Sequence, residues 1–194
     1  MNTSVKEPNN SDAGQLPVVA VKAPDYENLN RRLRSYLANM AETLPDRGSN
    51  QANGKSYFEN KWLSDAQLHN SDNSDLQKLV AFAEETANRI FQLPEPGLVM
   101  SITSMWGMVS KAGLTGVRHN HAGRVSAAYY VDVGSSGESD GGLMQFFLRP
   151  ELDQPTHRFR PESGQLFLFP STLQHSVSRY EGANPRIVIA LNLV

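Results

Sequence analysis

The 194-residue sequence contains no cysteine. That absence excludes disulfide scaffolds, cysteine-ligated zinc fingers, iron–sulfur clusters and thiol nucleophiles. Any bound metal must therefore be held by histidine, carboxylate or water. Charge of one sign is lacking too. The formal net charge is -2; residues 1–97 carry 13 acids and 10 bases, and residues 98–194 carry 7 and 8. Neither half is a charge tail, which argues against a strongly basic nucleic-acid surface. No apolar run approaches the roughly 20 residues that a membrane-spanning helix needs. The stretch Met1–Pro17 is polar and has no apolar core behind a basic segment, so it does not read as a signal peptide. These absences lead to the expectation of a soluble, cytoplasmic protein with no membrane and no strong nucleic-acid partner. They are compatible with a homodimer.

What is present fits one domain. A chain of this length buries roughly 70% of its unfolded surface, enough for one core. Residues 1–17 are expected to be a flexible tail and 18–194 a single domain. Leu29, Leu33, Leu37, Met40 and Leu44 recur at helical spacing, and Pro45 and Gly48 end the pattern. Residues 46–60 read as a loop. A second helix is predicted from Ser74-Asp75-Leu76-Gln77, which fits a capping box, with the stripe Leu76, Leu79, Val80, Ala83, Ala87 and Ile90. From Leu98 the texture changes to short runs of β-formers: Leu98–Met108, Val125–Val133, Leu143–Leu148, Gln165–Phe169, His175–Tyr180 and Arg186–Leu193. Turn residues separate them, with no helical pattern between. The order is α+β but the content mainly β: a double-sheet jelly roll with the N-terminal helices packed on one sheet.

Four of the five histidines fall in the strand-rich half. His119 and His121 are two apart, so on an extended backbone both imidazoles point to one face. His175 follows 53 intervening residues later, at the start of a predicted strand. Two histidines on one strand and a third on another are how a β-sandwich assembles a metal site, and neutral imidazole suits iron, zinc, copper or nickel. Taken alone, His-x-His also fits an exposed hairpin, and His175 a core position. Arg186 opens the last apolar strand, either as a solvent-facing end or as a buried anchor for a carboxylate. His69 and His157 lie in polar contexts and read as surface residues; Arg158 and Arg160 read equally as a solvated loop or as contacts to an anionic substrate.

The combination His119-x-His121, Ser126-Ala127-Ala128-Tyr129-Tyr130-Val131, Gly164–Ser171, His175-x-Val177 and Arg186-Ile187 resembles, in order and spacing, the 2-oxoglutarate/iron(II)-dependent oxygenases. It is most similar to the small bacterial and phage group related to prolyl 4-hydroxylase catalytic domains. The resemblance spans roughly Leu98 to Val194. It implies a double-stranded β-helix and a dioxygenase (hydroxylase) that uses dioxygen, Fe(II) and the cosubstrate 2-oxoglutarate on an unknown substrate. By the same resemblance His119 matches the first iron ligand, His175 the distal histidine, and Arg186 the partner of the far carboxylate of 2-oxoglutarate. Ser126 matches a position that often offers that carboxylate a hydroxyl. Trp106, Tyr129, Tyr130, Phe146 and Phe147 are candidates to line the pocket. One position departs from the wider superfamily, which has a carboxylate where this chain has His121. A three-histidine site is the favoured expectation, with Asp132, Glu138 and Asp140 the nearest alternatives. A three-His zinc site for hydrolysis or lyase chemistry, or a non-catalytic cupin-like metal-binding module, are the competing readings.

Overall fold

Helix α1 (Tyr26–Thr43) buries Leu29, Leu33, Leu37 and Met40, and α2 (Ser74–Ile90) buries Leu76, Leu79, Ala83 and Ala87. Each has one apolar stripe, and both stripes cover the same face of one sheet. The structure is a computed structural model that describes residues 17–47, 60–91, 97–135, 137 and 140–194. The expected N-terminal tail and most of the 46–60 loop lie outside the described residues. The predicted capping box does not form. Asn73 is the N-cap of α2, its side-chain oxygen accepting from the Asp75 and Leu76 amides. Leu44, predicted on the buried stripe of α1, is the C-cap in extended conformation and is 47% exposed. Helix α1 therefore ends one residue before the apolar pattern does, and its buried stripe ends at Met40.

The strands are β1 (Val19–Lys22), β2 (Lys61–Leu63), β3 (Ile102–Ser110), β4 (Gly116–His119), β5 (Val125–Asp132), β6 (Met144–Phe147), β7 (His157–Phe159), β8 (Gln165–Pro170), β9 (Gln174–Val177) and β10 (Arg186–Leu193). They form a six-stranded sheet in the order β1-β8-β5-β10-β3-β2 and a four-stranded sheet in the order β4-β9-β6-β7. Every named ladder is antiparallel. Side chains alternate across the large sheet. Tyr129, Val131, Ile187, Ile189 and Leu191 join the helices in one core. Ala128, Tyr130, Val188, Phe167 and Phe169 face the small sheet with Met144 and Phe146 in a second. This is the expected jelly roll, helices on one sheet.

A close approach seats α1 on the sheet. A Cβ at Gly107 would lie 2.6 Å from Leu37 Cδ2, so glycine there lets the helix settle onto β3. The two helices are tied by a bidentate pair, Arg32 Nε and Nη2 to Asp75 Oδ2 and Oδ1 at 2.7 and 2.8 Å. The four short strands β1, β2, β4 and β7 are additions to the six runs predicted. At three or four residues each, they are too short for alternation to show in the sequence.

Candidate metal centre and anion anchor

The space between the two sheets holds the candidate site. Its first part is a set of three imidazoles. His119 ends β4, and His175 lies directly opposite it on β9. His121 follows just beyond β4, where its amide donates to the Ser171 carbonyl at 3.0 Å. The three rings lie with centroids 4.4–5.2 Å apart, and one nitrogen from each falls within 4.8 Å of the other two. The expected convergence occurs, although His121 has left the strand.

Tautomers follow from the neighbours. His119 Nδ1 lies 2.7 Å from the Val117 carbonyl, and His175 Nδ1 lies 3.0 Å from the Leu173 carbonyl. A carbonyl can only accept, so each Nδ1 carries the proton and each Nε2 keeps its lone pair for a metal. Burial, with the nearby histidines adding to it, pushes both His121 and His175 down to about 4. The two rings are therefore neutral at neutral pH, the form that ligates. Aromatic rings enclose them: Trp106 is 5.8 Å from His121, and Phe169 and Phe146 are 4.8 and 6.4 Å from His175.

Among the described residues, no carboxylate belongs to this group. Asp132 pairs with Arg34 at 2.8 Å and accepts from the Gly134 amide. Asp140 accepts from the Gly137 amide at 2.9 Å. Glu138 lies outside the described residues.

The second part is Arg186. It is 3% exposed and faces inward from the first position of β10. Nη1 donates to the Gly142 carbonyl at 2.7 Å, and the guanidinium lies 5.1 Å from the Tyr130 ring centroid. Nε is buried with no hydrogen-bond partner, and no ion pair to Arg186 occurs among the described residues. A buried cation in that condition costs several kcal/mol unless an anion joins it. Gly142 holds φ +67°, and a Cβ there would meet Nη1 at 2.7 Å, so the glycine makes room for the fork. Beyond Val188 and Tyr130, the same inner face carries the small side chains Ala190 and Ala128, which pair with each other. The orphaned Nε and the all-imidazole donor set fit, respectively, a carboxylate ligand and a divalent transition metal.

Ser126 is not brought to Arg186. It pairs with Asn192, six residues along β10 from Arg186, a separation of roughly 20 Å at 3.3 Å per residue. Its hydroxyl bonds to Asn192 Oδ1 at 2.8 Å and Ser171 Oγ at 2.9 Å. The hydroxyl that does accompany Arg186 is that of Tyr130, counted in the sequence only among pocket-lining aromatics. Burial raises the Tyr130 hydroxyl, and Arg186 partly offsets the effect. Tyr129 points the other way and donates to Asn30 Oδ1 on α1 at 2.7 Å, so it does not line the site. Phe147 lies under the Arg118 guanidinium at 4.0 Å. Arg118 was overlooked in the sequence. It donates to Gln174 Oε1, Leu152 O and Pro150 O, each at 2.7 Å, and so clamps the residue before His119 to the residue before His175. An arginine directly preceding a candidate ligand was the available signal. His69 and His157 are half-buried, and Arg158 is exposed.

An antiparallel double-stranded β-helix with helices on its large sheet is the fold of the 2-oxoglutarate oxygenases. Residues 104–192 match the model of the family described as "Putative 2OG-Fe(II) oxygenase". No curated protein matches the sequence. Solved structures resemble the chain along almost its whole length. A prolyl-4-hydroxylase from Pseudomonas putida has TM-score 0.64 and 16% identity, over 91% of this chain and 92% of that one. A prolyl hydroxylase from Trichoplax adhaerens, in complex with a hypoxia inducible factor peptide fragment, has TM-score 0.64 and 12% identity, over 91% and 83%. HygX from Streptomyces hygroscopicus, with nickel and 2-oxoglutarate bound, has TM-score 0.63 and 13% identity, over 91% and 82%. At these identities the likeness speaks to the fold. The match over residues 104–192 points to the class of 2-oxoglutarate- and Fe(II)-dependent oxygenases, and with it to that metal and cosubstrate. Among the described residues, no helix is long and apolar enough to cross a membrane.

Proposed function

We propose that this protein is a 2-oxoglutarate- and Fe(II)-dependent hydroxylase whose iron is held by His119, His121 and His175 and whose cosubstrate is anchored by Arg186. The observation that carries the reading is the buried Arg186, its Nε unpartnered, on the inner face of the large sheet, together with the three imidazoles gathered at β4 and β9 of the small sheet. A zinc hydrolase would give such a cation no task.

The fold assigns each group its part. Carbonyls 117 and 173 fix the tautomers of His119 and His175, so each presents a lone pair without rearrangement. Arg186 offers a planar fork to the far carboxylate of 2-oxoglutarate, and Gly142 and Tyr130 hold that fork in place. Trp106 beside His121, and Phe146 and Phe169 beside His175, shield the inner side of the centre, while His119 stands exposed. The bound iron supplies the oxidative chemistry, which consumes dioxygen and 2-oxoglutarate and releases succinate; the chain supplies position and exclusion.

The test is metal analysis of protein purified without oxygen, followed by anaerobic 2-oxoglutarate binding and then succinate formation on admitting dioxygen. One equivalent of metal, saturable 2-oxoglutarate binding that needs the metal, and succinate release are expected. Stoichiometric zinc together with metal-independent or absent 2-oxoglutarate binding would overturn the proposal.

A further inference from the structure

An all-imidazole donor set bears on which metal the centre accepts, provided that His119, His121 and His175 hold the metal as proposed. We infer that His121 makes the centre selective against oxygen-seeking divalent ions, manganese above all, and in favour of ions that prefer nitrogen donors.

The first observation is the composition of the donor set. All three groups within 4.8 Å of one another are imidazoles, and two of them have their Nε2 lone pairs fixed by carbonyls. The second is that oxygen donors close by are already engaged. Ser126, Ser171 and Asn192, in the row beside His121, satisfy one another. The third is that His121 is held by the fold. Its amide is bonded to Ser171, which is fully buried, and its ring packs beside Trp106. It is a built position, and the surrounding surface is aromatic.

Hard cations such as magnesium and manganese bind carboxylate, carbonyl and water oxygens, whereas imidazole suits iron, nickel, copper and zinc. A set of three neutral nitrogens also leaves the ion its full double charge, with no first-shell anion to offset it. Ions whose binding is mainly electrostatic lose most by that exchange. Ions with strong nitrogen affinity lose least. Across the order Mn²⁺ < Fe²⁺ < Co²⁺, and for Zn²⁺ against Mn²⁺, the spread of affinities at this centre is therefore wider than at one with a carboxylate in place of His121.

The experiment uses the full-length chain stripped of metal, without 2-oxoglutarate. Mn(II), Co(II) and Zn(II) are each titrated in competition with a chromophoric chelator, and the visible spectrum of the Co(II) form is recorded. Wild type is compared with His121→Asp and His121→Ala; His121→Glu replaces the Asp variant if circular dichroism shows the latter unfolded. The Zn/Mn affinity ratio is expected to fall on the order of tenfold or more in the carboxylate variant, with a changed Co(II) spectrum. An unchanged ratio in a folded carboxylate variant, beside a His121→Ala variant that has lost affinity, overturns the selectivity inference while leaving the three-histidine site standing. Wild-type Co(II) affinity and spectrum in His121→Ala would instead remove His121 from the metal, and both readings would fall.

Discussion

Replacing Arg186 by methionine separates an anchor built for a ligand from a residue built for stability. Methionine keeps most of the side-chain length and removes the charge and all five donors. In the free protein two terms compete. The Gly142 carbonyl loses its 2.7 Å partner, a cost of about 1–3 kcal/mol for a buried unsatisfied acceptor. The contact with the Tyr130 ring is lost as well, about 1–2 kcal/mol. Against these stands the removal of a buried cation whose Nε has no partner, which relieves several kcal/mol of desolvation. The terms nearly cancel, so the ligand-free variant should unfold in urea within about 2 kcal/mol of wild type, on either side. Binding tells a different story. Truncating one member of a buried charged pair typically costs about 2–5 kcal/mol. By the affinity relation, 2-oxoglutarate should then bind roughly 30- to 5,000-fold more weakly. Calorimetry of the metal-loaded protein with 2-oxoglutarate measures this, and chelator competition checks that metal affinity stays near wild type. A variant that loses more than about 4 kcal/mol of stability yet binds 2-oxoglutarate normally would show that Arg186 is a structural residue, and the anchor assignment would be wrong.

Three further outcomes test neighbouring parts of the site. Gly142→Ala forces a Cβ to within 2.7 Å of Arg186 Nη1 at a φ of +67°, so it should weaken 2-oxoglutarate binding while metal affinity is unchanged, with about 1–2 kcal/mol lost from stability; equal loss of both affinities would point to general disorder instead. Ser126→Ala should lower stability by about 1–3 kcal/mol, because Asn192 and Ser171 each lose a partner, and should leave 2-oxoglutarate affinity untouched; a selective drop in that affinity would restore Ser126 to the anchor. Metal-free protein should lose stability on acidification. His121 and His175 sit near 4 when folded against 6.5 when unfolded, so between those values the unfolded chain holds more protons and stability rises with pH, then levels above 6.5; chemical unfolding at pH 5 and pH 8 reads the difference, and equal stabilities would contradict the burial argument.

The architecture was legible because its long elements each carry a single period. Leu29, Leu33 and Leu37 repeat at four-residue intervals, and Val125–Asp132 and Arg186–Leu193 read as continuous β-formers because both faces of the large sheet are covered, one by helices and one by the small sheet. The short strands were not legible. Strand β4 contributes Gly116, Val117, Arg118 and His119, a mixture with no apolar face, and it exists because β9 offers it a ladder. The helix start was misread by one residue for a similar reason. Asn73, Ser74 and Asp75 are all competent caps, and only the hydrogen bonds from Asn73 decide among them.

The period-two rule brought the histidines together, whereas Ser126, matched by resemblance alone, does not stand beside Arg186. For His119 and His121 the rule acts between neighbours in one chain, where face and position along the strand are fixed together by two residues of backbone. For Ser126 and Arg186 it acts between strands, and there it fixes only the face. Both side chains do point inward. Ser126, however, is the second residue of β5 and Arg186 the first of β10, and those strands are antiparallel. Residues near the starts of antiparallel neighbours stand at opposite ends of the sheet. The partner of Arg186 must then come from the end of β5, which is where Tyr130 stands, opposite Val188 and one inward position from Arg186. Which strands pair and in what register, which no composition or spacing encodes, is thus what separates Arg186 from the polar row beside His121. Once the antiparallel pairing is known, Tyr130 could have been named from numbering alone.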